Sequence, residues 1–297
     1  MSDEAARKKI AFFGGSFDPV HVGHIEIANT LVTEFGLDVF VFVPAFRAPH
    51  KWEFDPASPY HRFAMLALAT DGLEDVGIST IEMEDPDRPY TIETMEKVKA
   101  NFPGTEIFFV IGADSWMDIT TWRNWEEVLT STNIIVVTRP GFEIGFSHLT
   151  DEIRERIVDL RRQNSEVRSQ ENDVGAGPVP APGNVGAGPV PAPAEDQDSE
   201  VRNQESESGA QATGLINSLR GTEGNKNEIG DGSQAGETPS QSSVLSPHSF
   251  AIYITDSVNV DISATALRKM IGKGEEGWEK IVPTAVARHI VKYGLYK

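Results

Sequence analysis

The spacing of apolar positions changes along the chain, and each change marks an element. Ile10-Ala11-Phe12-Phe13 is a continuous apolar run, the pattern of a strand buried on both faces. It stops at Gly14-Gly15. Beyond that turn Ile25, Ile27, Ala28, Leu31, Val32 and Phe35 recur at the spacing of one helical face. The first unit therefore reads strand, glycine turn, helix. Residues 39–43 form a second, β-branched and aromatic run ending at Pro44. Residues 59–70 predict a mostly buried helix, 76–83 a strand, 92–100 a helix, and 106–111 and 133–138 two further apolar strands. The charged stretch 154–162 predicts a helix. Residues 250–254 predict another strand, followed by a helix over 264–271 that Ser263 caps and Gly272 closes. Pro283 opens a last helix, which ends at Gly294-Leu295-Tyr296. Strands alternating with helices predict an α/β fold with a parallel sheet.

Between the last two groups of elements the pattern disappears. Residues 164–247 contain no Phe, Trp or Tyr and carry 13 acidic residues against 4 basic ones. Such a composition cannot bury enough apolar surface to offset the entropy of ordering, so a long disordered insertion is expected. It also repeats itself: the nine residues from Val174 to Pro182 recur from Val185 to Pro193, and Ser165-Glu166-Val167-Arg168 recurs as Ser199-Glu200-Val201-Arg202. These repeats have no apolar ladder with which to stack as a solenoid. The expected organisation is a core over 1–163, the insertion over 164–247, and the rest of the core over 248–297.

The formal charge of the 297-residue chain is −19. So acidic a protein is a poor general binder of nucleic acid, and any anionic ligand needs a local cationic pocket built against the global field. Cysteine is absent, which excludes a disulfide framework or a thiolate metal site. No apolar run reaches the roughly 18 residues of a membrane span, and Met1 to Lys9 has no apolar stretch resembling a secretory leader. A cytoplasmic protein is expected.

The candidate chemistry begins in the first turn. Gly14-Gly15-Ser16-Phe17-Asp18-Pro19-Val20-His21-Val22-Gly23-His24 joins a strand to a helix start, where backbone amides and the helix dipole stabilise an anion. His21 and His24, three residues apart, fall on one helical face. Taken singly these features also suit an ordinary α/β turn or half a metal site. Taken together, the stretch resembles the signature of the nucleotidyltransferases related to class I aminoacyl-tRNA synthetases. Within that group it is most similar to the bacterial nicotinate-nucleotide adenylyltransferases.

The resemblance covers about residues 8–145 and 248–297. It implies a Rossmann-like parallel sheet with flanking helices, interrupted by the insertion. It assigns Gly14, Gly15, Ser16, Phe17 and His50 to the ATP phosphates, and His21, His24, Lys51 and Arg268 to catalysis. His50-Lys51 matches the family's Pro-His-Lys loop, although Ala48 stands where a proline is frequent. Ser263 and Thr265 belong to Ile262-Ser263-Ala264-Thr265-Ala266-Leu267-Arg268, which is similar to the second signature, with Ala264 in place of a second serine. Asp114 in Gly112-Ala113-Asp114-Ser115 matches a nucleotide-contacting acid, and could otherwise simply cap a helix. Tyr90-Thr91 matches the helix start that receives a nicotinate carboxylate, with Thr91 the expected N-cap. Trp122 matches the tryptophan that stacks on the pyridine ring, while Trp125 reads as core. Arg139 serves a phosphate or only a surface ion pair.

The implied reaction is adenylyl transfer from ATP to nicotinate mononucleotide, giving the dinucleotide and pyrophosphate, with Mg²⁺ escorting ATP and no metal-ligand cluster in the chain. Nicotinamide mononucleotide, phosphopantetheine, or CTP with a phosphocholine-like acceptor are the alternatives for a sister enzyme. An interaction scaffold working through the insertion is the non-enzymatic one.

Overall fold

The structure is a computed structural model describing residues 7–46, 56–84, 90–138, 143–161, 250–258 and 262–297. His50, Lys51, Arg139 and the whole of 164–247 lie outside the described residues. Among the described residues seven strands form one sheet: β1 Lys9–Gly15, β2 Val39–Pro44, β3 Val76–Ile78, β4 Glu106–Gly112, β5 Asn133–Val137, β6 Ile157–Asp159 and β7 Ile252–Thr255. Their order is β3-β2-β1-β4-β5-β7-β6, and every pairing is parallel. The helices are α1 Val22–Phe35, α2 Pro59–Thr70, α3 Thr91–Asn101, α4 Ala113–Met117, α5 Trp125–Thr130, α6 Asp151–Arg154, α7 Ala264–Lys273 and α8 Thr284–Tyr293.

Alternation along the strands divides the core in two. Ala11 and Phe13 of β1 join Phe40, Phe42, Phe108 and Val110 under α1, α2, α7 and α8. Ile10 and Phe12 join Val39, Val41, Ile107 and Phe109 under α3, α4 and α5. With helices on both faces, the strand order reverses between β1 and β4, and such a switch point opens a crevice at the carboxyl ends of the strands.

Three elements depart from the sequence reading. The strand expected over 76–83 ends at Ile78. Thr80 draws the chain into a turn, its carbonyl accepting from Met83 and Glu84 at 2.7 and 3.0 Å. The stretch 154–162 is not a helix: α6 stops at Arg154 and residues 157–159 form the edge strand β6. Its partner β7 is far away in sequence, yet Ile252 N donates to the Arg156 carbonyl and Leu160 N to that of Ile254. Helix α7 does not close at Gly272 but runs on to Gly274, at φ +67°. Because β7 sits between β5 and β6, the chain on both sides of the insertion builds one sheet.

Candidate active site

β1 delivers the first motif to the crevice. Gly15 is required there by its neighbour: a Cβ would stand 2.9 Å from the Phe17 ring. That ring is buried against Phe13 and Phe42, so Phe17 can serve an anion only through its backbone. Gly14 is under no such constraint, since a Cβ there would make ordinary contact with Phe109 at 3.6 Å. The Ser16 carbonyl is held by Arg62 Nη1 at 2.8 Å.

His21 is the N-cap of α1, in extended conformation, and the Val22 amide donates to the Ile281 carbonyl at 3.0 Å. The two predicted histidines meet: their rings stack with centroids 3.7 Å apart. The His21 amide donates to His24 Nδ1 at 3.2 Å. An accepting Nδ1 leaves the proton on Nε2, so His24 is a neutral donor. Burial, and then the neighbouring His21, push its pKa well below the ordinary value of 6.5.

A cavity of about 240 Å³ opens beside this pair. Its walls include His21, Gly23 and His24 from α1, Asp114 from α4, Thr138 after β5, and Ala264 at the start of α7. Two signatures some 240 residues apart in sequence thus line one space. Asp114 is exposed, and it is not a cap, since Gly112 is the N-cap of α4. Ser263 is the N-cap of α7, accepting from the Ala266 amide at 3.5 Å.

Arg268 does not line that cavity. It is 3% exposed. Its Nη1 donates to the Asp18 carbonyl at 2.6 Å and its Nη2 to the Thr265 hydroxyl at 3.0 Å. It thus braces the second signature against the first. Sequence reasoning missed the rest of this buried network. Asp18 is fully buried, and its Oδ1 accepts from the Tyr296 hydroxyl at 2.6 Å and from the Ala57 amide at 3.2 Å. Arg62, 1% exposed, donates to the carbonyls of Ser16, Phe46 and Ala57. Burial raises the Asp18 pKa, offset by the Tyr296 hydrogen bond and by Arg268. The available signal was an arginine set inside the apolar stripe Phe63, Met65, Leu66.

Tyr90, Thr91 and Trp122, expected at the pyridine ring, are not in the lining of this cavity. Tyr90, not Thr91, is the N-cap of α3, and its amide donates to Glu93 Oε2 at 3.1 Å. Arg123 links this helix start to the segment carrying Trp122: its guanidinium lies 4.6 Å from the centre of the Tyr90 ring and 3.3 Å from Glu93. Trp122 and Trp125 both pack, half-buried, on the core. Among the described residues no group of three or more His, Cys, Asp or Glu could hold a metal ion, and no helix is long and apolar enough to cross a membrane.

Motif, sheet order and cavity together are those of a nucleotidyltransferase, and the cytidylyltransferase-like family pattern matches residues 12–270. The chain belongs to the cytidylyltransferase-like family. It is 38% identical over 175 residues to a probable nicotinate-nucleotide adenylyltransferase of Solibacter usitatus, covering 58% of this chain and 90% of that protein. It is likewise 38% identical over 137 residues to the nicotinate-nucleotide adenylyltransferase of Bacillus subtilis, covering 46% of this chain and 72% of that protein. The nicotinic acid mononucleotide adenylyltransferase of Plasmodium falciparum, solved with NaAD, superposes with a TM-score of 0.55 at 14% identity, covering 98% of both chains. That likeness speaks for the fold.

Proposed function

We infer that this chain transfers the adenylyl group of ATP to nicotinate mononucleotide, releasing pyrophosphate and forming nicotinate adenine dinucleotide for NAD synthesis. One observation carries the reading: the starts of α1 and α7 and the ring of a neutral His24 line one cavity at the carboxyl edge of the sheet. An oxygen of the mononucleotide phosphate attacks the α-phosphorus of ATP. A new P–O bond forms, the bond to the bridging oxygen breaks, and pyrophosphate leaves with that electron pair. The attacking phosphate is already anionic, so no general base is needed, and catalysis is positioning and charge stabilisation. His24 donates to the α-phosphate as charge gathers on it. His21, stacked on His24, caps the helix whose dipole faces the same oxygens.

Gly14, Gly15, Ser16 and the Phe17 backbone, with Ser263 and Thr265, form the phosphate cradle in this reading. His50 and Lys51 add charge to it, and Asp114 accepts from a ribose hydroxyl. Arg268 acts as a strut rather than as a direct ligand. Mg²⁺ suits such a site because it binds largely through substrate phosphates and water. Bound with ATP, the ion would neutralise charge on the leaving pyrophosphate. Tyr90, Thr91 and Trp122 receive the nicotinate ring and its carboxylate, and the enzyme works in the cytoplasm. The insertion at 164–247 is idle in the reaction, so its deletion is expected to leave turnover within about twofold, loop closure depending weakly on length.

The test offers ATP and Mg²⁺ with nicotinate or nicotinamide mononucleotide, separately, and follows pyrophosphate. Preference for the acid supports the reading. Equal use removes the role given to Tyr90 and Thr91, and no release with either acceptor rejects the function.

A further inference from the structure

The segment after α8 enters the site from behind, and nothing in the reaction above uses it. Gly294, at φ +61°, turns the chain back, with Leu295 N donating to the Ile290 carbonyl at 3.1 Å. Tyr296 then takes φ +65°, a left-handed conformation uncommon for any residue but glycine. It is gripped at both ends. Its backbone carbonyl lies against α7 at Gly272, where an added Cβ would stand 3.1 Å away. Its hydroxyl donates to Asp18 Oδ1 at 2.6 Å, inside the first motif. One residue therefore touches the first motif through its side chain and the far end of α7 through its backbone, and the starts of α1 and α7 line the same cavity.

We propose that Tyr296 is a positioning residue for the nucleotide: by holding the buried Asp18 carboxylate while its backbone rests on α7, it sets the spacing between the α1 and α7 starts that receive the ATP phosphates. The inference rests on the adenylyltransferase reading. Three charged or titratable groups face Asp18: Arg62 from α2, Arg268 from α7 and Tyr296 itself. Among the described residues Asp18 Oδ2 has no hydrogen-bond partner, and the Tyr296 hydroxyl and the Ala57 amide donate to Oδ1. Burial keeps the Tyr296 phenol protonated, hence always a donor. Its hydrogen bond lowers the Asp18 pKa against the opposing effect of burial. Without the hydroxyl, Asp18 takes a proton at higher pH and loses its attraction for both arginines.

The experiment is Tyr296→Phe in the full chain, with thermal unfolding to verify the fold and steady-state pyrophosphate release at varied ATP and varied nicotinate mononucleotide. The KM for ATP is expected to rise about tenfold, the scale of one hydrogen bond to a charged group. The KM for the mononucleotide should stay within about twofold, because Tyr90, Thr91 and Trp122 hang on other elements. The acid limb of the kcat/KM profile for ATP should move to higher pH. Should this variant fail to fold, Gly272→Ala, which favours the helix while pressing on the Tyr296 carbonyl, is expected to give the same one-sided rise. A folded Tyr296→Phe protein with unmoved ATP KM and unmoved pH profile overturns the proposal, as does an equal rise in both KM values. Loss of thermal stability with unchanged kinetic constants also overturns it, leaving Tyr296 merely structural. An inactive parent chain would instead reject the underlying function.

Discussion

The two regions to which the proposed function assigns the phosphates and the pyridine ring are built on opposite principles. In the region read as the phosphate end Asp18, Arg62 and Arg268 are at most 3% exposed, and their partners come from the loops after β1 and β2, the segment before α2, α7 and the segment after α8. In the region read as the pyridine end Tyr90 is 49% exposed, and Arg123 and Glu93 pair at the surface, their side chains 55% and 42% exposed. The contrast follows the chemistry. Stabilising a transition state needs donors fixed before the substrate arrives, and a low-dielectric network holds them there at the cost of leaving any broken member unsatisfied. In the proposed function, choosing between acid and amide needs only a small energy difference, which a solvated helix start can supply.

The comparison can be broken most forcefully at Arg62. Arg62→Met leaves the Ser16, Phe46 and Ala57 carbonyls without their donor, and stability is expected to fall by roughly 3 kcal/mol or more, read as a shift in urea midpoint. A shift as small as that of a surface variant would dissolve the contrast. Next comes His24→Ala. Removing the Nε2–H donor should lower kcat by at least about 10²-fold with the fold retained. Near-normal turnover would take His24 out of the reaction.

The third prediction concerns pH. The folded protein holds His24 below the ordinary imidazole value of 6.5, so the unfolded chain takes up the proton first. The stability contributed is complete above about 6.5 and is lost as pH falls below it. His148 is shifted in the same sense by burial and Arg154, so His24→Gln should flatten the acid slope of the urea midpoint without abolishing it. An unaltered slope would mean that His24 takes up its proton at the same pH in the folded and unfolded states. The smallest effect is expected at the other end. Arg123→Ala should change stability by less than about 1 kcal/mol, as exposed ion pairs do, and lower kcat/KM for nicotinate mononucleotide by no more than about fivefold. A loss on the scale of Arg62→Met would show the pyridine end to be as tightly braced as the phosphate end.

Local pattern was sufficient wherever the decisive interactions are short in sequence. The strand-turn-helix of the first motif, the Ser263 cap and the helix over 59–70 rest on periodicity, glycine and capping, all read within a few residues. His21 and His24 were legible as a pair because one helical turn brings them together. The sequence also determined the acidic, aromatic-free character of 164–247. Tertiary structure alone decided that 157–159 is a strand, since its hydrogen-bonding partner is β7, beyond that insertion. It decided that Gly272 lies inside α7, close under the Tyr296 carbonyl, rather than at the helix end. It also decided that Arg268 braces Asp18, 250 residues away. A buried charge takes its role from whatever surrounds it, and for Arg62, Arg268 and Asp18 those surroundings are assembled only when distant segments pack against one another.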